Sequence, residues 1–464
     1  MKNVKDDSKN YKFNPYILRA YDIRGIVGET LSEEDAYYLG RSLAAFVLGK
    51  NTGKKICIGF DGRFSSPKLE EKIVRGLMES GMDVIRIGLC PTPMLYFSVK
   101  HLGASGGIMI TGSHNPPSHN GFKMMLEKLP VYGDDIQELG SIAERGDFLD
   151  GKGSVSFEDV KDAYMKHLLK AFAGGRELKI AWDAGNGATG NVMKELTENL
   201  PGKHFLLNEK IDGNFPSHHP DPSVAENMEQ LIEMVEKEHC DLGIAFDGDG
   251  DRIGVVDNQG RIIWGDQLMS FFAEDILQKH KGETIIADVK ASQTLFDEIA
   301  RNGGKPLMWK TGHSLIKTKM FETRAILAGE MSGHVFFKDN NGFDDGLYAA
   351  IQIINIVSKS KEPLSKKLDA LPHVFNTPEI RVDVDDAKKF TVVEAIKISA
   401  KKDGLEVNDI DGVRVRLDGG WWLVRASNTQ AALVVRCEAN SQNRLTEIKT
   451  DVFERLASGG IKIS

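Results

Sequence analysis

The sequence predicts an α/β protein: three similar α/β domains with mixed, largely parallel sheets around a central cleft, then a C-terminal α+β domain. Three observations carry this. A strand, helix, strand pattern recurs three times along the chain. Each copy ends on a short apolar run followed by a polar loop. From about residue 373 the pattern gives way to apolar and charged residues in alternation. Short strands alternating with helices favour sheets with parallel strands. At 464 residues the chain is also longer than one core usually supports.

The first copy opens on Lys55-Ile56-Cys57-Ile58-Gly59-Phe60, continues through a helix over 67–80 and a strand Asp83-Val84-Ile85-Arg86-Ile87, and closes on Gly107-Ile108-Met109-Ile110. The second opens on Leu178-Lys179-Ile180-Ala181-Trp182. A helix over 192–199, a strand His204-Phe205-Leu206-Leu207 and a helix over 227–238 lead to Leu242-Gly243-Ile244-Ala245-Phe246. The third runs from Thr284-Ile285-Ile286-Ala287 through a helix over 292–302, Pro306-Leu307-Met308-Trp309 and a helix over 314–322 to Ala325-Ile326-Leu327-Ala328. The fourth segment has strands at Glu379-Ile380-Arg381-Val382, Gly412-Val413-Arg414-Val415 and Ala432-Leu433-Val434-Val435-Arg436, with one helix near its end. Divisions at Gly151-Lys152-Gly153, Asn258-Gln259-Gly260 and Leu371-Pro372 give domains 1–153, 154–259, 260–372 and 373–464.

The net charge of −8 argues against nucleic acid or an anionic membrane surface as partner, and leaves room for a small phosphorylated substrate. No apolar stretch has the length of a membrane span, and residues 1–11 are polar, so a cytoplasmic protein is expected. The four cysteines lie far apart, which excludes a close zinc or redox pair and fits a reducing compartment.

In sheets of this kind ligands gather beyond the carboxyl ends of strands. Ser113, Asp247 and Glu330 each stand just past such an end. In Thr111-Gly112-Ser113-His114-Asn115-Pro116 a hydroxyl rises on a glycine turn, where it can accept and return a group, and Lys123 supplies a nearby cation. Asp247, Asp249 and Asp251 alternate with glycines, so in an extended segment three carboxylates share a face. Such an all-oxygen set favours Mg²⁺, Mn²⁺ or Ca²⁺ over zinc. Arg252 and Asn258 stand where an EF-hand needs glycine and glutamate. Arg425-Ala426-Ser427-Asn428-Thr429 places a guanidinium fork, two hydroxyls and an amide on one loop, which suits phosphate. Gly329-Glu330-Met331-Ser332-Gly333-His334 offers a carboxylate, a hydroxyl and an imidazole for sugar hydroxyls; Thr311-Gly312-His313 is a shorter signal of similar kind.

Arg19-Ala20-Tyr21-Asp22-Ile23-Arg24-Gly25 and the motifs at 111–116, 247–252, 329–334 and 425–429 make five in order along essentially the whole chain, and in them the sequence resembles the α-D-phosphohexomutase family. Within that family it is most similar to the branch acting on both mannose and glucose phosphates. The resemblance implies a heart-shaped molecule of four domains and a phosphoryl group carried on Ser113. It implies Mg²⁺ held by Asp247, Asp249, Asp251 and a phosphoserine oxygen at Ser113. Arg24, Lys123 and Arg252 would stabilise the transferring group, and His313 would assist proton movement. Tyr21, Glu330, Ser332 and His334 would hold the sugar; Arg425, Ser427, Asn428 and Thr429 would hold the non-reacting phosphate. The implied reaction is reversible exchange between hexose 1-phosphate and hexose 6-phosphate through a hexose 1,6-bisphosphate, which also serves as activator. Phosphorylated hexoses are the expected partners, and a monomer or small homo-oligomer is expected.

Rival readings are distinguishable. Within the family, a phosphoglucosamine mutase usually has Gln where Met331 stands. A haloacid-dehalogenase-like sugar phosphatase would use Asp247 as nucleophile, with Thr or Val in place of Asp251. A silent phosphosugar-binding protein would be expected to have lost Ser113 or an aspartate ligand. Gly185-Asn186-Gly187-Ala188-Thr189-Gly190, with Glu209 downstream, matches a dinucleotide fingerprint, but Asp183 stands where a pyrophosphate would approach. Gly53-Lys54 lacks the rest of a Walker motif.

Overall fold

The computed structural model describes residues 10–427, 431–459 and 461. The main path of the first sheet is ordered Ile23–Ile26, His119–Leu126, Gly106–Ile110, Lys55–Phe60, Asp83–Leu89, Val155–Phe157. Its centre is parallel, Lys55–Phe60 lying between Asp83–Leu89 and Gly106–Ile110. His119–Leu126 then returns antiparallel, with Phe122 opposite Ile110. The second sheet is ordered Ile262–Ile263, Ile253–Asp257, Leu242–Phe246, Leu178–Asp183, Gly202–Leu207. The third is ordered Lys305–Trp309, Thr284–Asp288, Leu327–Gly329, Val335–Phe337. The edge strands Val155–Phe157 and Ile262–Ile263 carry the first two sheets past the divisions expected at 153 and 259.

One device is repeated in all three sheets. A fully buried parallel strand ends in a polar loop, and an antiparallel strand returns beside it. Phe246 pairs with Ile253 in the second sheet and Gly329 with Val335 in the third. Every residue of Gly106–Ile110 and Leu242–Phe246 is buried. Strands covered on both faces need unbroken apolar runs, which is why these were readable from sequence. The return strand then fixes the far end of the loop, so its polar side chains are held at both ends.

The fourth sheet is antiparallel, with Phe375–Asn376 and Ile380–Asp383 on one side of Ala432–Ala439, and Gly420–Ala426, Val413–Leu417 and Glu406–Asn408 following on the other. The expected single helix is a correction: two long helices cover this sheet, Lys389–Lys402 and Gln442–Ser458. The first was hidden by its β-branched residues, Thr391, Val392, Val393, Ile396 and Ile398, which favour strand locally. Its buried Val392, Val393, Ile396 and Ala400 nevertheless follow helical spacing.

Alternation along Gly420–Ala426 divides the labour of that strand. Trp422 and Val424 face the helices, while Trp421 and Leu423 pack on Val289 of the third domain. Burying such a side chain stabilises by about 1.5–3 kcal/mol. Arg414 lies 3.8 Å over the Trp421 ring and donates to the Val289 and Ala291 carbonyls at 2.7 and 2.8 Å. The first three domains share one continuous apolar cluster, running through Leu95, Tyr164, Phe246, Phe272 and Ile354. Among the described residues no helix is long and apolar enough to cross a membrane.

Candidate active site

Ser113 leaves its buried strand with a left-handed backbone, φ +49°, uncommon for a residue with a Cβ. The turn is fixed from both sides. Ser113 N–H donates to Thr111 Oγ1 at 2.7 Å, and its carbonyl accepts Arg63 Nη2 at 2.7 Å. Arg63, itself buried, also donates to the carbonyls of Asn115, Pro116 and His119 and pairs with Asp61. The serine Oγ points at the second domain, donating to Asp247 Oδ2 at 2.8 Å, with His114 Nδ1 at 3.1 Å. Burial first, then Arg252, Arg24 and Lys123, push the His114 imidazole well below its usual pKa, so it is neutral.

Asp247, Asp249 and Asp251 are fully buried, and their ligand atoms lie within 4.8 Å of one another. Asp247 Oδ1 accepts the backbone N–H groups of Gly250 and Arg252 at 2.9 and 3.2 Å. Asp249 Oδ2 accepts Thr92 Oγ1 at 2.5 Å and Lys123 Nζ at 2.7 Å, and Asp251 Oδ2 accepts the same ammonium at 2.5 Å. Against the cost of burial, Asp249 and Asp251 raise the Lys123 pKa, so this lysine stays charged. Burial and then repulsion from Asp249 and Asp251 push Asp247 well above the carboxylate range. Asp249 Oδ1 and Asp251 Oδ1 are buried and accept no hydrogen bond from the protein. Three crowded carboxylates with two orphaned oxygens fit a hard divalent cation at this loop.

A second polar group closes the cleft from the third domain. Arg252 Nε donates to His334 Nε2 at 3.0 Å, which assigns the imidazole proton to Nδ1. His334 Nδ1 lies 3.0 Å from Asp344 Oδ2 and 3.6 Å from Asp251 Oδ1. Against burial, Lys317 and His334 hold Asp344 well below the usual range, with Lys317 Nζ at 2.6 Å. His313 stacks beside His334 with centroids 5.4 Å apart, and burial followed by Lys317 keeps it neutral. Glu330 accepts Ser332 Oγ and the Gly312 N–H, both at 3.0 Å.

The structure thus gathers Ser113, Lys123, Asp247, Asp249, Asp251, Arg252 and His334 in one connected network. Arg24 pairs with Asp22 at 2.7 Å and reaches Asn115 of the serine loop at 3.5 Å. Tyr21 OH donates to the Thr311 carbonyl at 2.9 Å, joining the first and third domains. Arg425 is buried and paired with Asp411 at 3.0 Å, and the Ser427 carbonyl accepts Lys389 Nζ at 2.7 Å. Asn428 and Thr429 lie outside the described residues. Arg63, Thr92, Lys317, Asp344 and Asp411 were missed by sequence reasoning. Asp61-Gly62-Arg63 did carry a signal, since it follows a buried strand as the other loops do.

Comparison with known proteins agrees with this geometry. Four family models of phosphoglucomutase/phosphomannomutase match in order: alpha/beta/alpha domain I over 16–150, domain II over 162–260, domain III over 264–375 and the C-terminal domain over 379–455. A phosphomannomutase/phosphoglucomutase of Pseudomonas aeruginosa is 44% identical over 435 residues, covering 94% of each chain. A phosphoglucomutase of Neisseria gonorrhoeae is 45% identical over 438 residues, covering 93% of this chain and 95% of the relative. A phosphoglucomutase/phosphomannomutase family protein of Burkholderia thailandensis superposes with a TM-score of 0.91 at 40% identity, covering 97% of this chain and 98% of that one. Three α/β domains and an α+β domain around a buried serine, an acidic triad and facing cations define an isomerase that moves a phosphoryl group. The chain belongs to the phosphoglucomutase/phosphomannomutase family. The dehalogenase-like phosphatase and the phosphoglucosamine mutase find no support in these matches.

Proposed function

We propose that the protein interconverts hexose 1-phosphates and hexose 6-phosphates of both mannose and glucose, with Ser113 as the phosphoryl carrier. The observation that carries this is the Ser113 hydroxyl, raised on a left-handed turn and aimed at Asp247 at 2.8 Å. In the forward step the Ser113 O–P bond breaks as a new P–O bond forms to the free sugar hydroxyl, which gives up its proton. The resulting 1,6-bisphosphate turns over and returns its other phosphoryl group to Ser113. Little covalent work falls to the protein, so positioning and charge do most of it.

Residue roles follow. Lys123 and Arg252, with Arg24 reaching the serine loop from its strand, offset charge on the transferring group. Asp247, Asp249 and Asp251, with a phosphoserine oxygen, would hold Mg²⁺, which supplies further charge neutralisation when bound. Glu330 is pre-aligned by Ser332 and Gly312 to accept bonds from adjacent sugar hydroxyls. Tyr21 and His334 would also hold the sugar, and His313 would assist proton movement. Arg425, Ser427, Asn428 and Thr429 grip the phosphate that is not reacting. Met331 in the sugar loop, and the Pseudomonas aeruginosa relative named for both activities, favour the dual branch. The four cysteines are free and buried, which supports a cytoplasmic setting.

Incubating the protein with Mg²⁺, a trace of glucose 1,6-bisphosphate, and mannose 1-phosphate or glucose 1-phosphate tests this. Both should convert to 6-phosphates at rates within about tenfold, a gap of ~1.4 kcal/mol. Preference beyond roughly a thousandfold for either sugar, or for glucosamine phosphate, would overturn the dual assignment.

A further inference from the structure

The Thr311–Gly312 turn is gripped from three domains. The Thr311 N–H donates to Asp411 Oδ2 of the fourth domain at 3.0 Å, while its carbonyl accepts the Tyr21 hydroxyl of the first at 2.9 Å. Within the third domain, Gly312 N–H donates to Glu330 Oε1 at 3.0 Å and Thr311 Oγ1 reaches Asp288 Oδ2 at 3.3 Å. Gly312 has φ +133°, and a Cβ there would fall 2.7 Å from the Tyr21 ring, so only glycine closes the turn. The next residue, His313, begins the helix His313–Thr323.

The same Asp411 oxygen accepts Arg425 Nε at 3.0 Å. Gly412 follows with φ +83°, and a Cβ there would meet the Arg425 Cβ at 2.6 Å. This close approach lays Asp411 against the arginine. A guanidinium held by a carboxylate at Nε presents its two Nη groups as a fork of fixed direction, the arrangement that suits a phosphate.

We propose that Asp411 is a positioning residue that makes the phosphate grip and the sugar-binding turn one unit. One oxygen aims Arg425 and fixes the peptide that leads to His313 and anchors Glu330. This rests on the reading of Arg425 as the clamp for the non-reacting phosphate. Because the oxygen is shared across the junction, docking of the fourth domain completes the sugar site, and loosening either side loosens both. The turning bisphosphate is then held by a closed cleft rather than by Arg425 alone.

The test compares wild type, Asp411→Ala, Asp411→Asn, Tyr21→Phe and the Tyr21→Phe/Asp411→Ala double variant. It reads kcat, KM for glucose 1-phosphate and glucose 1,6-bisphosphate released per turnover. Asp411→Ala should raise both KM and bisphosphate release roughly tenfold, the size expected for one charge-assisted bond. Asp411→Asn still accepts the Thr311 N–H but cannot pair charge with Arg425, so it should fall between. It is also close in shape, so it keeps the test valid if the alanine variant misfolds. With Tyr21→Phe already loosening the turn, the added effect of Asp411→Ala should shrink several-fold. Wild-type bisphosphate retention in both Asp411 variants, or effects that simply multiply in the double variant, would overturn the proposal. A wild-type protein without mutase turnover would instead overturn the reading of the site, and the proposal with it.

Discussion

Arg63 donates from Nη2 to the backbone carbonyl of Ser113 at 2.7 Å, so the guanidinium sits beneath the residue that carries the chemistry. Its other bonds go to three further carbonyls of the same loop, and its Nε goes to Asp61. No other side chain type offers five donors in a rigid plane. Arg63→Lys keeps the charge and loses the fork, leaving carbonyls of the loop short of a donor, at about 1–3 kcal/mol for the buried one of Ser113. Turnover should fall at least about a hundredfold, as expected for displacement of a reacting group by around 1 Å. The melting temperature should fall as well. Wild-type kcat in Arg63→Lys would show that the loop holds itself.

Metal removal should be decisive. Excess chelator should abolish turnover, Mg²⁺ should restore it, and Asp249→Asn should require more Mg²⁺ for half-maximal rate. Zinc should serve poorly, because every ligand is a hard oxygen. Undiminished activity in chelator would refute the assignment of the Asp247–Asp251 loop.

Arg425→Ala should weaken binding roughly ten- to hundredfold for 1-phosphates and 6-phosphates alike, since one clamp serves both orientations. Phosphorylation of Ser113 by added bisphosphate should persist. Steady-state KM values in both directions check this; loss of one substrate alone would contradict a shared clamp.

Asp345 caps the helix Gly346–Lys359 by accepting the Tyr348 N–H, and also accepts Tyr164 and Asn340. Burial pushes its carboxyl up to about 6 from an ordinary 3.8, more than these bonds pull it down. Between those values the unfolded chain has released the proton and the native chain has kept it. Stability from this group therefore falls as pH rises through that window, by about 3 kcal/mol in all. Asp345→Asn, which cannot ionise, should gain on wild type from pH 4 to pH 6 in chemical denaturation. A constant difference between the two across that range would refute the raised carboxyl.

The strand ends, the serine turn and the acidic triad were legible because each is written in consecutive residues. Leu242–Phe246 must be apolar throughout to lie at a sheet centre, and Asp247, Asp249 and Asp251 must alternate to converge. Arg63, Thr92, Asp344 and Asp411 were not legible because their meaning lies in contacts across long sequence distances. Thr92 meets Asp249 across the boundary between the first two domains, and Asp411 meets Thr311 across that between the last two. The helix Lys389–Lys402 was obscured for the opposite reason: its local propensity favours strand, and only packing on the fourth sheet makes it helical.

That Ser113 carries the phosphoryl group is tested most directly by the mass of one peptide. Protein treated with glucose 1,6-bisphosphate and Mg²⁺, then digested, should show one phosphate on the peptide containing Ser113. If that phosphate carries an isotopic label, excess mannose 1-phosphate added before digestion should carry the label into sugar phosphate and leave an unlabelled phosphate on Ser113. Ser113→Ala should remain unlabelled, with turnover reduced by several orders of magnitude. A phosphate on Asp247 instead of Ser113, or full turnover by Ser113→Ala, would contradict it.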